Sequence, residues 1–168
     1  SKIAVVMSLY DQLSGEYADR MMGSPSSRGN EWHPRFVHAL RSSLEVLSPY
    51  RNSLVALTPT LVGSDAEGVL SDDTEQARDR VRGAFVMAVR DSENAPDPQT
   101  ALALGNLLYL AHLGVVLFWL LDRSEDQDAT WRLLEYVEDS EKFATLGANL
   151  PFVRKAICQL DEVVASAF

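Results

Sequence analysis

The chain has 168 residues, 46% of them hydrophobic, with 15 Lys plus Arg against 24 Asp plus Glu for a formal net charge of -9. That length suits a single domain over 1–168 with its own core, and the composition excludes wholesale disorder. The acidic balance argues against direct nucleic-acid binding, and a single cysteine, Cys158, excludes an intrachain disulfide or a cysteine-based zinc site.

In chain order, Ile3, Val6, Tyr10, Leu13 and Tyr17 recur at three and four, one face of a helix. A buried strand over Ile3–Met7 is the competing reading, rejected because no glycine-rich turn follows. Lys2 before Ile3–Met7 faintly resembles a secretory start, without a convincing cleavage site. The abrupt opening straight into periodic sequence suggests a fragment of a longer polypeptide. Gly23–Asn30 reads as a loop. Pro34 fits a first helical turn, and Phe36, Leu40, Leu44 and Leu47 carry that helix to Pro49. Tyr50–Val62 is a shorter helix that Pro59 should kink or end.

After a second loop, Gly63–Leu70, the residues Ser71, Asp72 and Asp73 should cap a helix with Val81, Ala84, Phe85 and Ala88 inward. Asp97-Pro98 is a strong helix start: a side-chain acceptor, then a residue whose missing N–H costs nothing there. Ser124 and Gln127 form a capping box for a helix that Gly147 closes. Asn149 and Pro151 begin the last helix, with Val153, Ile157, Leu160 and Val164 inward and Cys158 among them as an inert buried thiol, which fits a reducing cytoplasm. The sum is an all-α bundle of about seven helices.

Between Ala101 and Leu121 the strongly polar side chains are Asn106 and His112 alone. Roughly 20 apolar residues are enough to cross a bilayer. Gly105, Gly114, the two polar residues, the amphipathic neighbours and the acids beyond Leu121 favour a buried core helix instead, and no membrane partner is expected. A helix apolar all round must bury every side. Gly105, Tyr109, His112, Val116 and Trp119 form one stripe, an oily wall carrying a hydroxyl, an imidazole and an indole, which is the make-up of a small-molecule pocket. Leu107, Leu110, Gly114, Leu117 and Leu121 form a nearly opposite, dry stripe suited to a helix–helix seam. Plain core packing competes at each pocket position, and for His112 a hydrogen-bonded core histidine is preferred to a ligand contact.

Other chemistries find little support. His33 and His38, five apart, project from different sides of a helix, so no metal site is expected. Glu135, Glu138, Asp139 and Glu141 read as a solvated face, and Arg78, Arg80, Arg82 and Arg90 as exposed ion-pairing residues. No nucleophile has a base beside it, no phosphate loop occurs, and neither an enzyme nor a cofactor is expected.

Read together, SLYDQLSGEYADRM, HALRSSLEVLSPYRNSLVALTPTLVG, RDRVRGAFVMAV and LGNLLYLAHLGVVLFWLLDRSEDQDATWRLLEYV resemble the C-terminal domain of TetR-family transcriptional regulators. The resemblance lies in helix order, helix length and local wording, without a short diagnostic motif. It implies a homodimer joined through late helices, a small and largely apolar effector held inside each protomer, and a signal passed through Ser1–Met22 to an N-terminal helix-turn-helix domain absent from this chain. DNA would be touched only by that domain. Tyr10, Phe36 and Phe85 then join Tyr109, His112, Val116 and Trp119 as candidate pocket residues. Trp131 and Leu134 join Leu107, Leu110, Gly114, Leu117 and Leu121 as candidate dimer contacts. The alternative is a helical interaction or adaptor module with those aromatics tightly packed and no small-molecule pocket.

Overall fold

The computed structural model describes residues 2–23, 30–61 and 74–166. Eight α-helices and two 3-10 turns occur among the described residues, with no strand. The helices are α1 (Lys2–Gly23), α2 (Trp32–Leu47), α3 (Arg51–Leu61), α4 (Glu75–Arg90), α5 (Pro98–Leu121), α6 (Asp128–Asp139), α7 (Glu141–Ala148) and α8 (Pro151–Ala165). The fold is the expected all-α bundle. Most of the two expected loops, 24–29 and 63–70, lies outside the described residues, as do the cap residues Ser71, Asp72 and Asp73 and the side chains of Ile3 and Val6. Pro59 falls in the last described turn of α3.

Helix α4 is the hub, packed closely against α5 and also against α1 and α2. Its inward residues Val81, Ala84, Phe85, Ala88 and Val89 are all buried. The α4–α5 crossing is tight because Gly105 has no side chain: a Cβ there would lie 2.6 Å from Val86 Cα. Gly105 therefore serves packing, not the wall of a pocket. Facing it across the core, α2 buries Trp32, Phe36, Leu40 and Leu44. Polar ties fasten the periphery. Arg80 of α4 pairs with Asp11 at 2.9 Å and donates to Ser14 Oγ at 2.9 Å, and Arg41 of α2 pairs with Glu138 of α6 at 2.8 Å.

Helix α5 starts as its sequence dictates. Asp97 accepts hydrogen bonds from Thr100 N at 3.1 Å and Thr100 Oγ1 at 2.8 Å, with Pro98 as the first helical residue. Its C-terminus departs from expectation. Ser124 and Gln127 make no capping box, since Asp126 and Gln127 adopt left-handed φ of 50° and 59°. The Asp122 carboxylate organises this turn, accepting from Ser124 N and Oγ and from Thr130 N and Oγ1 at 2.6–2.9 Å. These four bonds hold its pKa well below the usual carboxylate range.

One long helix from Ser124 to Gly147 was also expected. Instead the chain breaks at Ser140, whose hydroxyl donates to Val137 O at 2.6 Å and competes with the helical ladder. Helix α8 then returns beside α5 in the same direction. Arg154 meets Asp97 at 3.5 Å, Cys158 Sγ lies 3.9 Å from Thr100 Oγ1, and Asn106 donates to Asp161 at 3.3 Å.

Candidate ligand site and association face

Helix α5 is long and apolar enough to span a bilayer by length and composition, and a third of its most apolar window is buried within the protein. The buried side faces α4 and α2. There Phe85 occupies the centre of a ring cluster, with centroids of Tyr17 at 6.4 Å, Phe36 at 6.1 Å, Tyr109 at 6.3 Å and His112 at 4.8 Å. These separations are those of mutually packed aromatics. Five residues from four helices thus converge because each sits on the inward face of its own helix.

The Tyr17 hydroxyl donates to Ala39 O at 3.3 Å, whereas two other polar groups of this cluster are incompletely paired. His112 Nε2 lies 2.7 Å from Ser43 Oγ on α2, while Nδ1 is buried without a partner. Burial pushes the imidazole pKa down to about 3, so the ring is neutral near pH 7. Tyr109 Oη is also buried and lacks a well-formed hydrogen bond, although the Tyr10 phenol faces it. Burial raises the pKa of both phenols, and both remain protonated at neutral pH.

Among the candidate pocket residues, Tyr10, Phe36, Phe85, Tyr109 and His112 come together. Val116 is half-buried against the core, and Trp119 lies farther along α5 in a different environment. The Arg51 guanidinium sits 5.5 Å from the Trp119 ring centroid, and its Nη2 donates to the carbonyls of Trp119, Leu120 and Asp122 at 3.1, 3.4 and 2.8 Å. Arg51 thereby satisfies carbonyls that the end of α5 leaves open.

Tyr17, Ser43 and Arg51 were not among the sequence candidates. Ser43 had a signal, since it lies seven residues beyond Phe36 on the same inner face. Arg51 had none. A separate cleft of about 60 Å³ between α1, α2 and α4, lined by Met21, Arg35, Ala84, Met87, Ala88 and Asp91, is far smaller than the ~300–1,000 Å³ of common ligand sites.

The opposite side of α5 carries the dry stripe, which is covered along half its length. Thr100 and Ala103, on the same stripe, are buried; Leu107 and Leu110 are half-buried; Gly114 is open; Leu117 is 38% exposed and Leu121 62%. Phe118 is exposed alongside. Of the remaining dimer candidates, Leu134 is wholly buried in its own core, out of reach of a second copy, and Trp131 is half-buried against that core. Neighbouring α8 buries none of its residues fully. Its inward face was read correctly at Val153, Ile157 and Val164, but Leu160 is exposed. With Phe152, Ala156 and Val163 it forms a second, outward apolar stripe.

No protein-family model matches the chain, and no curated protein sequence matches it significantly.

Proposed function

We propose that this chain is the effector-sensing and homodimerising domain of a TetR-type transcriptional regulator, with a small, largely apolar effector received at the Phe85–Tyr109–His112 wall. One observation carries this reading. Helix α5 has a buried aromatic face whose His112 Nδ1 and Tyr109 Oη lack good partners, and an opposite apolar stripe whose second half, at Leu117 and Leu121, is exposed. A buried polar group without a partner costs about 1–3 kcal/mol, which a ligand offering a matching donor or acceptor would relieve. DNA contact and a cytoplasmic location belong to the same proposal, the former through a separate helix-turn-helix domain.

The adaptor alternative draws support from the close Phe85–His112 packing and from exposed Tyr136, Phe143 and Leu146 on α6 and α7. Thermal-shift titrations with phenols, amides and medium-chain carboxylates, on wild type and on His112→Ala and Tyr109→Phe, separate the two. The sensor reading expects stabilisation that grows with ligand concentration and shrinks in both variants. Equal shifts in all three proteins would remove these residues from the site. No shift with any probe would leave the adaptor module.

A further inference from the structure

We propose that the effector is a monocarboxylate, its headgroup received between Arg78, Tyr10 and Tyr109 and its apolar body lying along Phe85 and His112. The inference rests on the effector-sensing reading above and adds to it the charge and headgroup of the ligand.

Helix register brings the three headgroup residues together. Helices α1 and α4 run side by side in the same direction. Asp11 lies 2.9 Å from Arg80, the Tyr17 ring 6.4 Å from Phe85, and Met21 shares a cleft with Ala88. One heptad back from the Tyr17–Phe85 contact stand Tyr10 and Arg78, on the same faces and roughly 10 Å along the helices. From α5, Tyr109 reaches the same end of the wall. Its ring packs 6.3 Å from Phe85, and its buried Oη faces the Tyr10 phenol without a well-formed bond. The Arg78 guanidinium lies close enough to favour the ionised form of both phenols, yet burial keeps both protonated.

Two O–H donors and a guanidinium form a pole rich in protons and positive charge. Facing each other, the phenols can spend only one of their two protons on the pair. A carboxylate, with two oxygens and about four acceptor sites, takes both hydroxyls and pairs with the guanidinium as well. Arg78 Nη1 donates to Thr74 Oγ1 at 3.1 Å, which orients its planar fork, and Arg82 is countered by Asp79 at 2.9 Å. One negative charge matches this pole. A phosphate dianion would bring a second charge into an apolar cluster, and an amine would be repelled. The distance from Arg78 to Phe85 suits one ring or a chain of about six to eight carbons. A polar substituent on that body falls near His112 Nδ1, the other buried atom without a partner.

Isothermal titration with phenylpropanoate and octanoate, each against its uncharged primary amide, tests the headgroup on wild type, Arg78→Gln and Tyr10→Phe. At neutral pH each acid should bind roughly tenfold or more tightly than its amide. That preference should vanish in Arg78→Gln and shrink in Tyr10→Phe. Circular dichroism shows whether each variant folds, and Tyr10→Phe carries the test should Arg78→Gln unfold. Amides that match their acids in wild type overturn the headgroup assignment and leave an uncharged apolar effector. An acid preference unchanged in the folded variants puts the carboxylate elsewhere and also overturns it. Binding of none of the four compounds overturns the sensor reading together with this one.

Discussion

Ser43 Oγ lies 2.7 Å from His112 Nε2, joining α2 to α5 through the centre of the aromatic cluster, while Nδ1 on the same ring has no partner. The imidazole is therefore held by one hydrogen bond and by ring packing, in surroundings that disfavour its charged form.

Acid should destabilise the fold through this ring. The folded pKa of His112 is depressed to about 3 from 6.5, so between those values the unfolded chain binds a proton that the folded chain refuses. Stability then falls as pH drops, by up to ~1.4 kcal/mol per unit across that window, with the loss complete near the folded value. His33, also lowered by burial, adds to the upper part. Urea midpoints at pH 7, 5.5 and 4 should decline less steeply in His112→Gln. Parallel decline in the two proteins would mean that His112 is already solvated or charged.

The two glycines on α5 should respond oppositely to alanine. At Gly105 a Cβ meets the Val86 backbone at 2.6 Å, so the helices must separate, at about 1–3 kcal/mol beyond any gain in propensity. At Gly114 the space is open, and the exposed helix should gain up to about 1 kcal/mol. Denaturant midpoints at low protein concentration read the difference. A stable Gly105→Ala protein would show that α4 and α5 can slide apart freely.

Arg51→Ala removes three carbonyl contacts and the cation above Trp119. A loss of about 2–3 kcal/mol is expected, as for a charged donor serving a buried helix end. Lys at this position, a point charge without the planar fork, should recover only part of it. Full recovery by Lys would assign the effect to charge alone.

Self-association should respond to Leu117→Glu but not to Leu102→Glu. Both leucines are exposed on α5, at 38% and 53%, but Leu102 lies off the dry stripe. Sedimentation equilibrium should show at least a 100-fold weaker dimer for the first, about 3 kcal/mol, and no change for the second. Equal effects would point to general apolar stickiness.

Periodicity made most of the fold legible. The helices around Phe36, Phe85 and His112 follow from apolar spacing, and Asp97-Pro98 marked its start because cap chemistry is local. The break at Ser140 was missed because it turns on one hydroxyl bonding back to Val137. The reciprocal box fails for a related reason: Asp122, outside the motif window, accepts from Ser124 N and Thr130 N, while Ser124 Oγ still accepts from Ala129 N at 2.9 Å. Leu134 and Leu160 exchanged places, one buried and the other exposed, because periodicity finds an apolar face without saying which neighbour covers it. Trp119 shares a stripe with His112, yet its surroundings are set by Arg51 from a distant helix.

Because the aromatic face and the dry stripe ride on a single helix ~10–12 Å across, α5 is one rigid part with two apolar faces. A shift that re-seats Tyr109 and His112 must carry Leu117 and Leu121 with it. Homologous chains that change the inner face should therefore carry compensating changes on the outer one, a correlation readable from sequences alone.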